Sequence, residues 1–248
     1  MQKIGIIGGT GLEKLNLFED ARDISVATPW GEPSSPVLTG RIEGKEVAIL
    51  SRHGREHTIP PTQINNRANI HAFRELGCEA ILVVTACGSL REEIGRGHLV
   101  IPDQFIDFTK HRISTFFESF SGGDLKHTPM ADPFNQSLRE KLIHCADEMA
   151  LTYHPTGTVV TIEGPRFSSR AESLMFRLMG ADVINMTTAP EAILANEAGI
   201  PYAAIAMSTD YDCWKTDEAP VSWEEVLKVF HENVSKVTSL LLATIRSL

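Results

Sequence analysis

Six short apolar runs, residues 4–7, 47–50, 81–84, 159–162, 183–184 and 203–207, each give way to a cluster of small polar, acidic or basic residues. Continuous Val, Ile, Ala and Leu without polar alternation reads as strand buried on both faces, the habit of a parallel sheet. The clusters that follow are Gly8-Gly9-Thr10-Gly11, Ser51-Arg52-His53, Thr85-Ala86-Cys87-Gly88, Glu163-Gly164-Pro165-Arg166, Asn185-Met186-Thr187 and Ser208-Thr209-Asp210-Tyr211-Asp212. Ligands of open α/β sheets sit beyond the carboxyl ends of the strands, so these clusters are expected to converge on one site.

Between the runs the pattern predicts helices over 63–76, 136–149, 169–179 and 190–198, the last with Pro190 suited to a first turn. Near the C-terminus Ser222-Trp223-Glu224-Glu225 matches a capping box, and Val226, Phe230, Val234, Val237, Leu241 and Ile245 recur at helical spacing, as a core-facing stripe does. Residues 122–129 are rich in turn formers and follow Phe116, Phe117 and Phe120, which suits a lid or an arm between subunits. Alternating strand and helix selects an α/β fold with a mixed, mostly parallel central sheet flanked by helices. With no repeat, low-complexity stretch or linker, the whole of 1–248 is expected to form a single domain.

Composition narrows the function classes. Hydrophobic residues make up 42% of the chain, enough for a full core around a sheet, while a net charge of −9 argues against a nucleic-acid surface, which needs clustered Lys and Arg. The four cysteines, Cys78, Cys87, Cys145 and Cys213, form no C-x-x-C pair, so inert, packed thiols in a reducing compartment are expected. The apolar stretch after Met1-Gln2-Lys3 is too short for a signal peptide and no run reaches membrane-spanning length, which points to a cytoplasmic protein with no membrane partner.

Three motifs invite readings that their context refuses. The glycines at 5, 8, 9 and 11 do not complete G-x-G-x-x-G, since position 14 is Lys, and they better suit a turn whose N–H groups and Thr10 hydroxyl face an oxyanion. His53-Gly54-Arg55-Glu56-His57 spells the inverted zinc-protease pattern, but Gly54 and Pro60-Pro61 oppose the helix that would bring both imidazoles to one metal, so no metal is expected. Cys87 has no base identifiable from the sequence and reads as a structural thiol.

What remains is hydroxyls (Thr10, Thr85, Thr187), a guanidinium (Arg52), an imidazole (His53) and two carboxylates (Asp210, Asp212). Hydroxyls and Arg suit a phosphate; carboxylates suit the N–H edge of a heterocycle. Nucleoside chemistry with inorganic phosphate accommodates both. The segments Gly8-Gly9-Thr10-Gly11, Arg52-His53-Gly54-Arg55, Thr85 to Glu93, Thr161 to Ser173, Asn185-Met186-Thr187-Thr188 and Thr209-Asp210-Tyr211-Asp212-Cys213-Trp214-Lys215 resemble the S-methyl-5′-thioadenosine phosphorylase family, in the trimeric branch of the purine nucleoside phosphorylases, along nearly the whole chain.

The resemblance implies phosphorolysis of S-methyl-5′-thioadenosine to adenine and 5-methylthioribose 1-phosphate, with phosphate as co-substrate, no cofactor, and a homotrimer or dimer of trimers. It implies that Thr10, Arg52, His53, Thr85, Ala86 and Thr187 hold phosphate, that Met186 lies against the ribose, that Phe167, Ser168, Asp210 and Asp212 surround the purine, and that Tyr211 belongs to the substrate-binding set. It further implies that His127 reaches the 5′ group of a neighbouring subunit and that Trp223, Val226 and Leu227 line the alkylthio pocket. Two departures loosen the 5′ preference: Asn66 stands where members commonly carry Tyr, and the sequence ends at Leu248, before an extension that in some members helps close that pocket. A broader purine nucleoside phosphorylase is therefore the alternative expectation. A hydrolytic nucleosidase with Glu163 as base, and a module that binds nucleotides without turnover, are the rivals from other classes.

Because phosphate is already an anion, its attack needs positioning more than a base. The leaving purine gains negative charge, and Asp210, protonated in an apolar setting, is the candidate donor to N7, its other oxygen accepting from the 6-amino group, with Asp212 orienting either Asp210 or that amino group.

Overall fold

The computed structural model describes residues 3–8, 18–123, 125–218 and 222–248, and of Trp223 only the backbone. In chain order the elements are β1 (Lys3–Gly8), β2 (Glu19–Ile24), β3 (Val37–Ile42), β4 (Lys45–Ser51), α1 (Asn66–Glu75), β5 (Cys78–Ser89), β6 (Leu99–Val100), β7 (Gln104–Phe108), α2 (Gln136–Glu148), β8 (Tyr153–His154), β9 (Thr158–Ile162), α3 (Arg170–Leu178), β10 (Val183–Asn185), α4 (Thr188–Glu197), β11 (Tyr202–Tyr211) and α5 (Trp223–Ser247). The strands form one sheet of order β2-β3-β4-β1-β5-β10-β9-β7, and β11 adds β6 and then β8 on the other edge of β5. Most neighbours run parallel; β2 with β3, β3 with β4, β10 with β5 and β11 with β6 run antiparallel.

Strand alternation divides the apolar residues between two faces. Ile4, Ile6, Leu82, Val84, Ala203, Ile205 and Met207 pack with Leu138 and Leu142 of α2 and with Val237, Leu241 and Ile245 of α5. Ile7, Ile81, Val83, Tyr202 and Ala204 pack with Ile70 and Phe73 of α1 and with Leu194 and Ala195 of α4. The result is a helix, sheet, helix sandwich.

The site is prepared by how β5 is shared. On one edge β1 pairs with β5 only as far as Val83, and β10 joins that edge at Gly88, while β11 covers the other edge through to Ser89. Residues 84–87 thus lie in a break of the ladder, bordered by the ends of β4, β1 and β10. The β5 and β11 strands outrun the predicted 81–84 and 203–207, so the polar clusters lie inside the paired strands rather than past them, with a bulge between Ser208 and Asp210. The predicted helix at 63 begins instead at Asn66, capped by the Asn65 side chain; Pro61–Gln63 make a separate 3₁₀ turn.

Candidate active site

One cavity of about 620 Å³ opens at the ladder break. Arg52, His53, Thr85, Ala86 and Thr187 line it, and so do Phe167, Ser168, Met186, Asp210, Asp212, Val226 and Leu227. The two chemistries expected from the sequence therefore share a single chamber. Thr10 and the Trp223 side chain lie outside the described residues. Tyr211 turns away: its hydroxyl donates to the Glu92 carbonyl and Lys215 sits 4.2 Å above its ring, because alternation along β11 sends the residue between Asp210 and Asp212 to the opposite face. His127 is exposed beside Phe120, outside this chain's own cavity.

The end of β4 places Arg52, whose N–H donates to the Gly8 carbonyl and ties it to β1. Its side chain, 2% exposed, donates from Nε to Glu191 Oε1, from Nη2 to Glu191 Oε2 and from Nη1 to the Val84 carbonyl at 3.2 Å. After Arg52 the chain runs through turns, with Gly54 at φ +75°, not through the helix a zinc pair would need. His53 Nδ1 lies 2.8 Å from the Ile59 carbonyl, which only accepts, so Nδ1 carries the hydrogen and Nε2 the lone pair. Burial, aided by the Arg52 charge, pushes His53 down to about 4 and keeps it neutral at pH 7.

Thr85 and Thr187 approach with their hydroxyl oxygens 3.2 Å apart. Asn185 donates to the Thr85 hydroxyl at 3.3 Å and to the Thr188 hydroxyl at 2.6 Å, and accepts from Thr161 at 3.0 Å. With its oxygen accepting from the amide, the Thr85 hydroxyl keeps its hydrogen for Thr187, its own strand or a ligand.

On β11, the Thr209 hydroxyl donates to Asp210 Oδ1 at 2.8 Å. Burial pushes Asp210 up from 3.8 to about 6, against the Thr209 hydrogen bond and with the help of nearby Asp212. A Cβ on Gly88 would come within 3.0 Å of Asp210 Oδ2, so glycine there leaves room for the carboxylate. Asp212 Oδ2 is buried and has no hydrogen-bond partner among the described residues; Ser168 Oγ shares that condition. Arg112 Nη1, Ser173 Oγ and Ser208 Oγ are likewise unpaired among the described residues, but only Asp212 and Ser168 also line the cavity, where a ligand donor can reach them.

A raised native pKa fixes the sign of a stability effect. Protonated Asp210 is favoured in the folded chain, so its contribution is full below about 3.8 and is lost as pH climbs through 6. Asp210→Asn should therefore melt at higher temperature than the unaltered protein at pH 8, by an equivalent of about 3 kcal/mol. The gap should close as pH approaches 4; a gap independent of pH in thermal melts would contradict this.

The sequence had not pointed to several wall residues. Pro60 and Pro61 enter through the 3₁₀ turn, Pro165 and Ile184 also line the cavity, and Phe230 joins Val226 and Leu227 from the first turns of α5. Cys87 also reaches the chamber, though only 3% exposed, with burial holding its thiol well above the usual range. Glu163 stays out. Despite the upward push of partial burial, the Lys110 and His111 N–H groups, the Thr62 hydroxyl and Arg112 hold its carboxylate down to about 2. A carboxylate so satisfied is a poor base, which removes the residue that a hydrolytic reading requires.

Residues 3–246 match the model of the phosphorylase superfamily. The S-methyl-5′-thioadenosine phosphorylase of Danio rerio is 53% identical over 245 residues, covering 98% of this chain and 88% of the relative. That of Xenopus tropicalis is 55% identical over 249 residues with the same coverage. The chain belongs to the S-methyl-5′-thioadenosine phosphorylase family. Solved structures agree: methylthioadenosine phosphorylase from Schistosoma mansoni in complex with adenine superposes with a TM-score of 0.92 at 41% identity, covering 99% of this chain and 91% of that one. A variant of the Schistosoma adenosine/methylthioadenosine phosphorylase in complex with methylthioadenosine gives a TM-score of 0.91 at the same identity. Family membership makes the chain a pentosyltransferase with the mixed, mostly parallel nucleoside phosphorylase fold.

Proposed function

We propose that this chain cleaves S-methyl-5′-thioadenosine with inorganic phosphate, giving adenine and 5-methylthioribose 1-phosphate, and does so without a cofactor. The single observation that carries this reading is the shared chamber, lined by a guanidinium, hydroxyls and an imidazole together with buried carboxylates. Arg52, His53, Thr85, Ala86 and Thr187, with Thr10, hold phosphate; the His53 Nε2 lone pair accepts from a protonated phosphate oxygen. Met186 supports the ribose, Phe167 and Ser168 flank the purine, and Val226 and Leu227, with Trp223, receive the methylthio group.

Phosphate oxygen attacks C1′ as the C1′–N9 bond breaks, and the electron pair leaves with the purine. Protonated Asp210 delivers its proton to N7, and Asp212 Oδ2 accepts from the 6-amino group. A 6-oxopurine would set an acceptor against that buried oxygen and leave it unpaired, a cost of about 1–3 kcal/mol that favours adenine.

The working form in this proposal is a cytoplasmic homotrimer or dimer of trimers. Ile113, Phe120 and Leu125 are all exposed in the segment before His127, as an arm that lends His127 to a neighbour would require.

Adenine release from methylthioadenosine should depend on phosphate and stop in phosphate-free buffer, with light scattering of the same preparation giving the mass of three or six chains. Undiminished release without phosphate would reinstate hydrolysis. Initial rates with adenosine, inosine and guanosine, compared with methylthioadenosine, decide between a narrow and a broad 5′ preference.

A further inference from the structure

Glu191 is one of the most deeply placed charges in the molecule, 1% exposed, yet nothing in the reaction calls on it directly. It lies in the first turn of α4, directly after the Thr187 cap, so the helix that follows the cradle also supplies the anion beneath it. Its two carboxylate oxygens take the Nε and Nη2 hydrogens of Arg52, and the Tyr202 hydroxyl donates to Oε2 at 3.2 Å. A guanidinium has five N–H groups in one plane. Two go to Glu191 and one to the Val84 carbonyl, which leaves two, on Nη1 and Nη2, without a partner among the described residues. Arg52 also lines the cavity, whereas Glu191 does not.

We infer that Glu191 is a positioning residue for phosphate: its bidentate grip fixes the plane of the Arg52 guanidinium so that the two remaining N–H groups are presented to the oxyanion. This rests on the reading of Arg52 as part of the phosphate cradle. The competing account of the same ion pair is charge balance alone, with Glu191 present because a buried guanidinium needs an anion. The two accounts differ in sign. If Glu191 aims Arg52, removing its charge while keeping its shape lets the guanidinium turn and weakens phosphate. If Glu191 only neutralises Arg52, the same change leaves the cation uncompensated and strengthens phosphate.

Glu191→Gln is the direct test, in steady-state assays with methylthioadenosine and phosphate varied independently. The expected result is a phosphate KM raised by about tenfold or more, the scale of one lost hydrogen bond to a charged group. The methylthioadenosine KM should stay within about twofold, since Asp210 lies at the far end of β11 from Tyr202, Asp212 lies just past that end, and neither shares a hydrogen-bond partner with Glu191. A phosphate KM that falls or stays unchanged overturns the inference, and so does a parallel rise in both KM values, which marks a general loss of structure. Tyr202→Phe removes one hydrogen bond to Glu191 and little volume. It should move the phosphate KM in the same direction by a smaller factor, and it decides the matter if Glu191→Gln does not fold, an unchanged phosphate KM then counting against the inference. Arg52→Lys tests the underlying reading separately: if it leaves the phosphate KM unaltered, the cradle itself is misassigned and the inference falls with it. If it raises that KM while Glu191→Gln does not, the cradle stands and only the role of Glu191 is lost.

Discussion

Asp210→Ala should lower kcat/KM for methylthioadenosine by roughly 100-fold or more, the usual scale for losing a transition-state hydrogen bond in a water-poor site. The reason is where the charge goes. In the ground state the purine is neutral and a donor at N7 adds little; as the glycosidic bond breaks, negative charge flows onto the ring and the same donor becomes worth most. Burial has already drawn the Asp210 proton affinity to about 6, so a protonated carboxyl is accessible near neutral pH without a strong acid being built. The loss should fall mainly on kcat rather than on the nucleoside KM. A purified variant that melts cooperatively and turns over at a near-normal rate would remove Asp210 from the chemistry.

Arg52→Ala should raise the phosphate KM by about 100-fold, as the loss of two charge-assisted hydrogen bonds at about 1.5 kcal/mol or more each implies. The nucleoside KM should change far less. The same substitution strands the Glu191 carboxylate in the interior, and breaking a buried pair from one side costs about 3–5 kcal/mol. The single variant should therefore melt at lower temperature, and adding Glu191→Gln should recover much of that stability without recovering phosphate affinity. If both KM values rise equally in Arg52→Ala, the guanidinium serves the fold and not the oxyanion.

The parts of the fold that could be read in advance were those whose burial leaves a pattern. The run 81–84, made up of Ile, Leu and Val, reads as a strand covered on both faces, and β5 is covered by α1 and α4 on one side and α2 and α5 on the other. β2 offers no such signal, because every residue of Glu19–Ile24 is exposed and its pairing comes from backbone hydrogen bonds to β3. β6 and β8, two residues each, are too short to show any period. Nor does alternation carry direction, so the antiparallel join of β10 to β5, which creates the ladder break, could not be foreseen from Val183 and Ile184.

The chemistry of the site was legible because polar residues at the ends of buried strands are costly unless used. Its shape was not. Pro60 and Pro61 carry no chemical signal, and Phe230 sits within a helical stripe where every apolar residue looks alike. The structure grades that stripe: Val237, Leu241 and Ile245 serve the core, Phe230 packs with that core and also reaches the chamber, and Val226 lines the chamber. Tyr211 enters the substrate set only through the resemblance, and strand alternation along β11 accounts for its facing away from the chamber.

Cys87 has a consequence for anyone seeking to block this chamber. The residue lines the chamber next to Ala86 and Gly88, yet burial and the neighbouring Asp210 keep it a thiol. Alkylating reagents and mild oxidants attack thiolates. An electrophilic warhead aimed at Cys87 meets a thiol and not a thiolate, so reversible complementarity to the cation and the carboxylates together is the better route to occupancy.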